Sequence, residues 1–233
     1  MQINKNLANI KSHLVRYSFV NSGDYFTKNI VKDLKDTSDK IFLSKKYSLY
    51  NNTMRKLPLL KINSNKILLN LIYKIKSFLE EVYVEKLYLN KVLFQNKNFY
   101  NEIKNNSFKQ LPYVQHIDKN RFLKALIYLD EITIDRGPIH FSLTQKENYE
   151  KRRQDIIKKT PGFSNITNEE SVFKAAEGNC GDVIIFDTNC PHHAGIGNNN
   201  LSRKAVRIDF ETLDWNNFYF LNKLKIKIKN LVI

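Results

Sequence analysis

The chain has 233 residues, 42% hydrophobic and 26% charged, which suits one domain with a sizeable core and excludes a wholly disordered chain. Lysine and arginine (38) outnumber aspartate and glutamate (23), a net charge of +15; the lysines are spread evenly, as in Lys223-Leu224-Lys225-Ile226-Lys227, so the excess describes a solvated surface rather than a nucleic-acid footprint. Two cysteines, Cys180 and Cys190, exclude a disulfide-rich scaffold, and with no signal-peptide stretch and no run of about 18 uncharged residues, a cytoplasmic protein is expected.

Glycine divides the chain. Gly23 alone precedes residue 130, so the first part, to about residue 85, should be helix-rich and the remainder built from short strands. A helix is predicted from Asp24 to about Lys35. A stronger one runs from Asn65 to Glu81, where Ile67, Leu68, Leu71, Ile72, Ile75, Phe78 and Leu79 recur at helical spacing, with Asn63 or Ser64 as its cap. From Lys86 the period shortens, and Leu87, Leu89 and Val92-Leu93-Phe94 read as strand. Phe122 to Ile134 is a long strand-like run ended by the turn Asp135-Arg136-Gly137-Pro138, and Ile139-His140-Phe141 restarts it. Gln145 to Lys159 reads as a polar helix, and Asn168 to Ala176 as a short helix in a long connection. Val183 to Phe186 and Arg203 to Phe210 supply further strands. Phe218 to Ile233 alternates lysine with leucine and isoleucine. It reads as an edge strand or a packed terminal element, with a basic amphipathic membrane contact as the alternative. Short strands separated by turns predict a sandwich or barrel in one domain, with a core from about 86 to 212 and a tail from about 213.

The histidines are His13, His116, His140, His192 and His193. In His116-Ile117-Asp118, residues i and i+2 of a strand point to one side, so imidazole and carboxylate converge. Two such ligands and a distant histidine make the facial arrangement of a mononuclear non-haem iron site with three open positions. The second cluster runs from Gly181-Asp182 through Pro191-His192-His193-Ala194-Gly195 to Arg203-Lys204-Ala205. There a strand delivers a histidine to a turn and the next strand brings in an arginine. Arg203, Ala205, Arg207 and Asp209 share one face of that strand, while Val206, Ile208 and Phe210 share the other. A guanidinium on an inward face suits a dicarboxylate ligand, which it grips bidentately. A zinc site from Cys180, Cys190, His192 and His193 matches no common spacing.

These stretches resemble the phytanoyl-CoA dioxygenase family of Fe(II)- and 2-oxoglutarate-dependent oxygenases. His116-Ile117-Asp118 is similar to its H-x-D, residues 126–139 to its Y-L-x-D-V-T and N-G-P-L segment, and residues 181–205 to its G-D-x-x-x-F-D, H-x-[SA]-G and R-[RK]-A sequence. The resemblance covers about residues 110–212. It implies a double-stranded β-helix (a cupin-like jelly roll), mainly β, with N-terminal helices packed outside. It implies His116, Asp118 and His192 as Fe(II) ligands and Arg203 on the distal carboxylate of 2-oxoglutarate, with O₂ as the third reactant. Arg207, His193 and Tyr128 are further candidates; His193 competes with His192, but adjacent strand residues face opposite sides.

The implied activity is hydroxylation of an unactivated C–H of a small molecule, and the positive balance favours an anionic one. Asp118 stands where halogenating relatives have a small residue, which favours hydroxylation over halogenation. The chain departs from the family at Leu126, at Arg136, in the loop Phe141-Ser142-Leu143-Thr144-Gln145, and at Ala194 where several members carry a hydroxyl. A nucleic-acid demethylase is the first rival. Those relatives have a second arginine six residues after the first, whereas Arg207 follows Arg203 by four. A metal-binding jelly roll without turnover is the second.

Overall fold

A computed structural model describes residues 7–24, 28–44, 49–51, 54–98, 111–143, 153, 155, 165–166, 172–198, 201–213 and 220–231. The first helix, α1 (Leu7–Tyr17), leads into strand β1 (Phe19–Asp24), and α2 (Lys28–Leu43) follows. Two short strands, β2 (Leu49–Asn51) and β3 (Met54–Lys56), precede helices α3 (Leu59–Ser64) and α4 (Lys66–Tyr83). Then come β4 (Tyr88–Asn98), β5 (His116–Ile117), β6 (Leu123–Tyr128), β7 (Ile139–Ser142), β8 (Asn165–Ile166) and β9 (Phe173–Ala175). Strands β10 (Asp182–Asp187), β11 (His192–Ala194) and β12 (Ser202–Glu211) and a terminal helix, α5 (Phe220–Leu231), complete the order.

The strands form two antiparallel sheets, ordered β1-β10-β6-β12-β4-β3-β2 and β8-β5-β11-β7-β9, which make the expected mainly-β jelly roll. Alternation along β12 decides what each side of the first sheet meets. Val206, Ile208 and Phe210 join Val92, Phe94, Ala125, Ile127, Val183 and Ile185 in a core that α2 and α4 cover with Leu34, Ile41, Leu68, Leu71, Ile72, Ile75 and Leu79. The opposite face is the interior between the sheets. There Leu126, Tyr128, Ile184, Phe186 and Ala205 pack with Phe19, Phe141 and Cys190. The helices are thus packed outside the sheets, as their apolar stripes require.

Several expectations are corrected. The second helix begins at Lys28 and continues to Leu43, while Asp24, its predicted start, ends β1. The cap of α4 is Asn65, whose side-chain oxygen accepts from the Leu68 N–H at 3.0 Å; Asn63 and Ser64 are the last residues of α3. The long run from Phe122 is a strand only to Tyr128, after which Ile132 makes one bridge to Gly178 and Ile134–Arg136 form a 3₁₀ turn closed by Gly137 with φ +61°. Phe173–Ala175, placed in a short helix by the sequence reading, is instead β9, because its backbone pairs with His140, Phe141 and Ser142 of β7. The Gln145–Lys159 helix and residues 168–171 fall mostly outside the described residues.

The terminal segment is a helix rather than an edge strand. It packs on β4, where the Asn230 side chain closes the Leu89 backbone by accepting from its N–H (2.7 Å) and donating to its carbonyl (3.2 Å). Strands from before residue 86 also join the first sheet: β1 pairs with β10 and β3 with β4. No helix among the described residues is long and apolar enough to cross a membrane. Replacing Asn65 by alanine leaves a helix-terminal N–H without its acceptor. Asn65→Ala is expected to lower unfolding free energy by about 1 kcal/mol, read as a shift in the urea midpoint at unchanged slope.

Candidate metal centre

The site is assembled by register. In the pairing of β5 with β11, His192 stands directly opposite His116, and their ring centroids are 4.5 Å apart. Asp118 follows β5 two residues after His116 and turns to the same side. One atom from each of His116, Asp118 and His192 lies within 4.8 Å of the others, and this is the one such group among the described residues. Asp118 Oδ1 is 3.7 Å from His116 Nε2 and 4.0 Å from His192 Nε2.

The donor set fits a metal ion. His116 Nδ1 lies 2.7 Å from the Val114 carbonyl, and His192 Nδ1 lies 2.8 Å from the Cys190 carbonyl. A carbonyl can only accept, so each Nδ1 carries the proton and each Nε2 turns a lone pair toward Asp118. Burial is the main cause that lowers the pKa of both rings, His192 to about 3, so both are neutral at pH 7, as ligands must be. Burial alone would raise the Asp118 pKa, but the charge of Lys124 outweighs it and holds the carboxyl well below its usual range.

The group opens into a cavity of about 120 Å³ between the two sheets. The second sheet contributes His116, His192 and Ala194. Facing them across the cavity, the first sheet contributes Lys97, Lys124, Arg203 and Arg207. Arg203 is buried on β12 and donates to the Gly137 carbonyl. The turn that offers this carbonyl is held against β11, since the Gly195 N–H donates to the Pro138 carbonyl at 2.7 Å and a Cβ on Gly195 would stand only 2.3 Å from that oxygen. Glycine is therefore required at 195. Arg136, a departure from the family pattern, spans the same turn by donating to the Ser202 carbonyl at 2.6 Å.

The further candidates are placed differently. Arg207 lines the cavity and donates two hydrogen bonds of 2.7 Å to Asp209. The Tyr128 hydroxyl donates to the Ala176 carbonyl at 2.6 Å, and Tyr128 does not line the cavity. His193 stacks on His140 at 4.6 Å and contacts Phe173 at 5.1 Å, apart from the group. His13 sits on α1 against Tyr17 and Phe19. Cys180 bonds the Leu129 carbonyl and Cys190 is buried near the Ser142 carbonyl, so no cysteine joins His192 or His193 in a metal group among the described residues.

Lys124 was missed in the sequence. It lies buried in β6, a strand buried at every position, and donates to Asp118 Oδ2. The available signal was the lone charge inside Leu123-Lys124-Ala125-Leu126-Ile127-Tyr128, since a lysine within a fully buried strand needs an ionic partner.

No family model matches the chain, and no curated protein matches its sequence. Solved structures do match its fold. The carbocyclase SnoK from nogalamycin biosynthesis, described as non-heme and alpha ketoglutarate dependent, superimposes with a TM-score of 0.65 at 12% identity, over 88% of this chain and 84% of that one. HygX from Streptomyces hygroscopicus, solved with nickel and 2-oxoglutarate, gives 0.61 at 10% identity over 91% and 89%. EctD from S. alaskensis, in its apoform, gives 0.59 at 11% identity over 92% and 81%.

The lowered histidine pKa fixes a pH dependence. His192 binds a proton near pH 6.5 when unfolded and near 3 when folded, so its contribution to stability is complete above pH 6.5 and is lost as pH falls toward 3. Between pH 7.5 and 5 this amounts to about 2 kcal/mol for the metal-free protein. Denaturant titrations at the two pH values should show the drop, and His192→Gln should shrink it by that amount.

Proposed function

We propose that this protein is an Fe(II)- and 2-oxoglutarate-dependent oxygenase of the phytanoyl-CoA dioxygenase type, hydroxylating an unactivated C–H bond of a small molecule. The observation that carries the reading is the convergence of His116, Asp118 and His192 in one cavity with a buried arginine, Arg203, on the opposing sheet. Two imidazoles and one carboxylate leave three positions open on a six-coordinate metal, the donor set of such sites. The fold shared with SnoK and HygX agrees with it.

His116, Asp118 and His192 would hold the iron, and Arg203 would hold the distal carboxylate of 2-oxoglutarate. When bound, the iron with 2-oxoglutarate and O₂ supplies the oxidising power, the keto acid leaving as succinate and CO₂. The chain's own contribution is positional. The Val114 and Cys190 carbonyls fix both imidazole planes, so no ring has to reorient on metal binding. Arg203, anchored to Gly137, presents a charge that grips a carboxylate bidentately and sets how far the keto-acid end reaches toward the metal. Leu126, Ile139, Phe186 and Ala194 supply apolar wall, which keeps water from the reacting atoms. Asp118 supplies the carboxylate that favours hydroxyl transfer over halide transfer, because it occupies the place a halide would need. An anionic substrate accords with the cationic wall of the cavity.

Anaerobic addition of Fe(II) and then 2-oxoglutarate to metal-free protein is expected to produce the weak visible charge-transfer band of a chelated keto acid. His116→Ala, Asp118→Ala and His192→Ala should abolish it and His193→Ala should keep it. Arg203→Met should raise the 2-oxoglutarate concentration required by about tenfold or more, the loss of a charge-assisted pair. Fe(II) binding without keto-acid binding or consumption would favour a metal-binding module without turnover.

A further inference from the structure

We propose that Lys124 is a positioning residue that holds Asp118 to one-oxygen ligation and so keeps a metal position open. The inference rests on the metal-site reading above, and its chemistry is carried by the two carboxylate oxygens. Oδ1 faces His116 Nε2 and His192 Nε2, at 3.7 and 4.0 Å. Oδ2 accepts from the Lys124 ammonium. A carboxylate with both oxygens free can chelate, and on a six-coordinate ion two imidazoles plus a chelating carboxylate leave two positions instead of three. A bidentate keto acid would then fill the ion and leave no place for a third reactant. With Oδ2 committed to an ammonium, Asp118 has one oxygen left to give.

Lys124 is itself fixed. It lies opposite Asp209 in the β6–β12 register, so it stands between two carboxylates, Asp118 on the second-sheet side and Asp209 on its own sheet. Its ammonium is 5.7 Å from the centre of the Phe186 ring. Arg207, a like charge acting on it, is bound to Asp209. A buried ammonium held on these sides has few other places to go.

The test uses Co(II) alone, then 2-oxoglutarate, on metal-free wild type, Lys124→Met and Lys124→Arg. The visible d–d spectrum reports coordination, and calorimetry gives both dissociation constants. Lys124→Met, which cannot donate to Oδ2, is expected to bind Co(II) no more weakly than wild type and to show a changed spectrum before keto acid is added. After 2-oxoglutarate is added its spectrum should differ from wild type again, because the chelating carboxylate and the keto acid together leave no position for solvent. Lys124→Arg keeps a donor and should restore both spectra. If Lys124→Met fails to fold, Lys124→Leu takes its place. A wild-type spectrum in the apolar variant, before and after keto acid, would overturn the role of Lys124 alone. Absence of Co(II) binding in the wild type would overturn the metal-site reading and this role with it.

Discussion

The register between β5 and β11 is the constraint on which the site depends. A pair of strands three residues long or less sets His192 against His116 and lets Asp118 close the group. Strand periodicity is two, so a slip of one residue would turn His193 inward and His192 out. The slip is blocked from the far side, where His192, His193 and Ala194 pair with Phe141, His140 and Ile139 of β7. The stacked His140–His193 pair and the Gly195–Pro138 contact fix the same register from outside the cavity. The two histidines of the Pro191-His192-His193 segment thus divide the work: one faces the cavity and the other secures the strand.

The second constraint is electrical. Lys124, Arg203, Arg207 and Asp209 are on the inner face of the first sheet, where isolated charges would be costly. They are arranged with alternating sign: Lys91 and Arg207 on Asp209, then Lys124 opposite Asp209 and bonded to Asp118. That chain ties the carboxylate of the second sheet to the cations of the first. Arg207, which its face on β12 made a candidate for the cosubstrate, lines the cavity with Nε and Nη2 each donating to Asp209.

Much of this was legible because strand chemistry is local. His116-Ile117-Asp118 and the inward face of Arg203, Arg207 and Asp209 follow from period two, and the apolar stripe of α4 from period 3.6. What was lost depended on distant partners. Phe173–Ala175 has no strand signal of its own and is extended because β7 offers an edge. β1 and β3 are strands through β10 and β4, far along the chain. Asn63, Ser64 and Asn65 are all capping residues, and only the ending of α3 at Ser64 selects the third. Lys124 was hidden by its surroundings: a run of Leu, Ile and Tyr reads as core, and the partner that makes its charge tolerable lies on the other sheet.

Proteins that share the fold are described as an epimerase and a carbocyclase, so the scaffold does not select the outcome. The His116-Asp118-His192 group is also a poor discriminator, since it would touch only the ion it could hold. Selection must come from what lies against the substrate, and here the N-terminal part of the chain enters. Met54 of β3 reaches the cavity and receives the Gln95 amide at 3.3 Å, next to Lys97 on β4 and Arg203 across from it. Those residues line the same cavity as His116 and His192. The hairpin ahead of the α3–α4 pair therefore lends the cavity a flexible, polarizable wall, in a position to select among ligands.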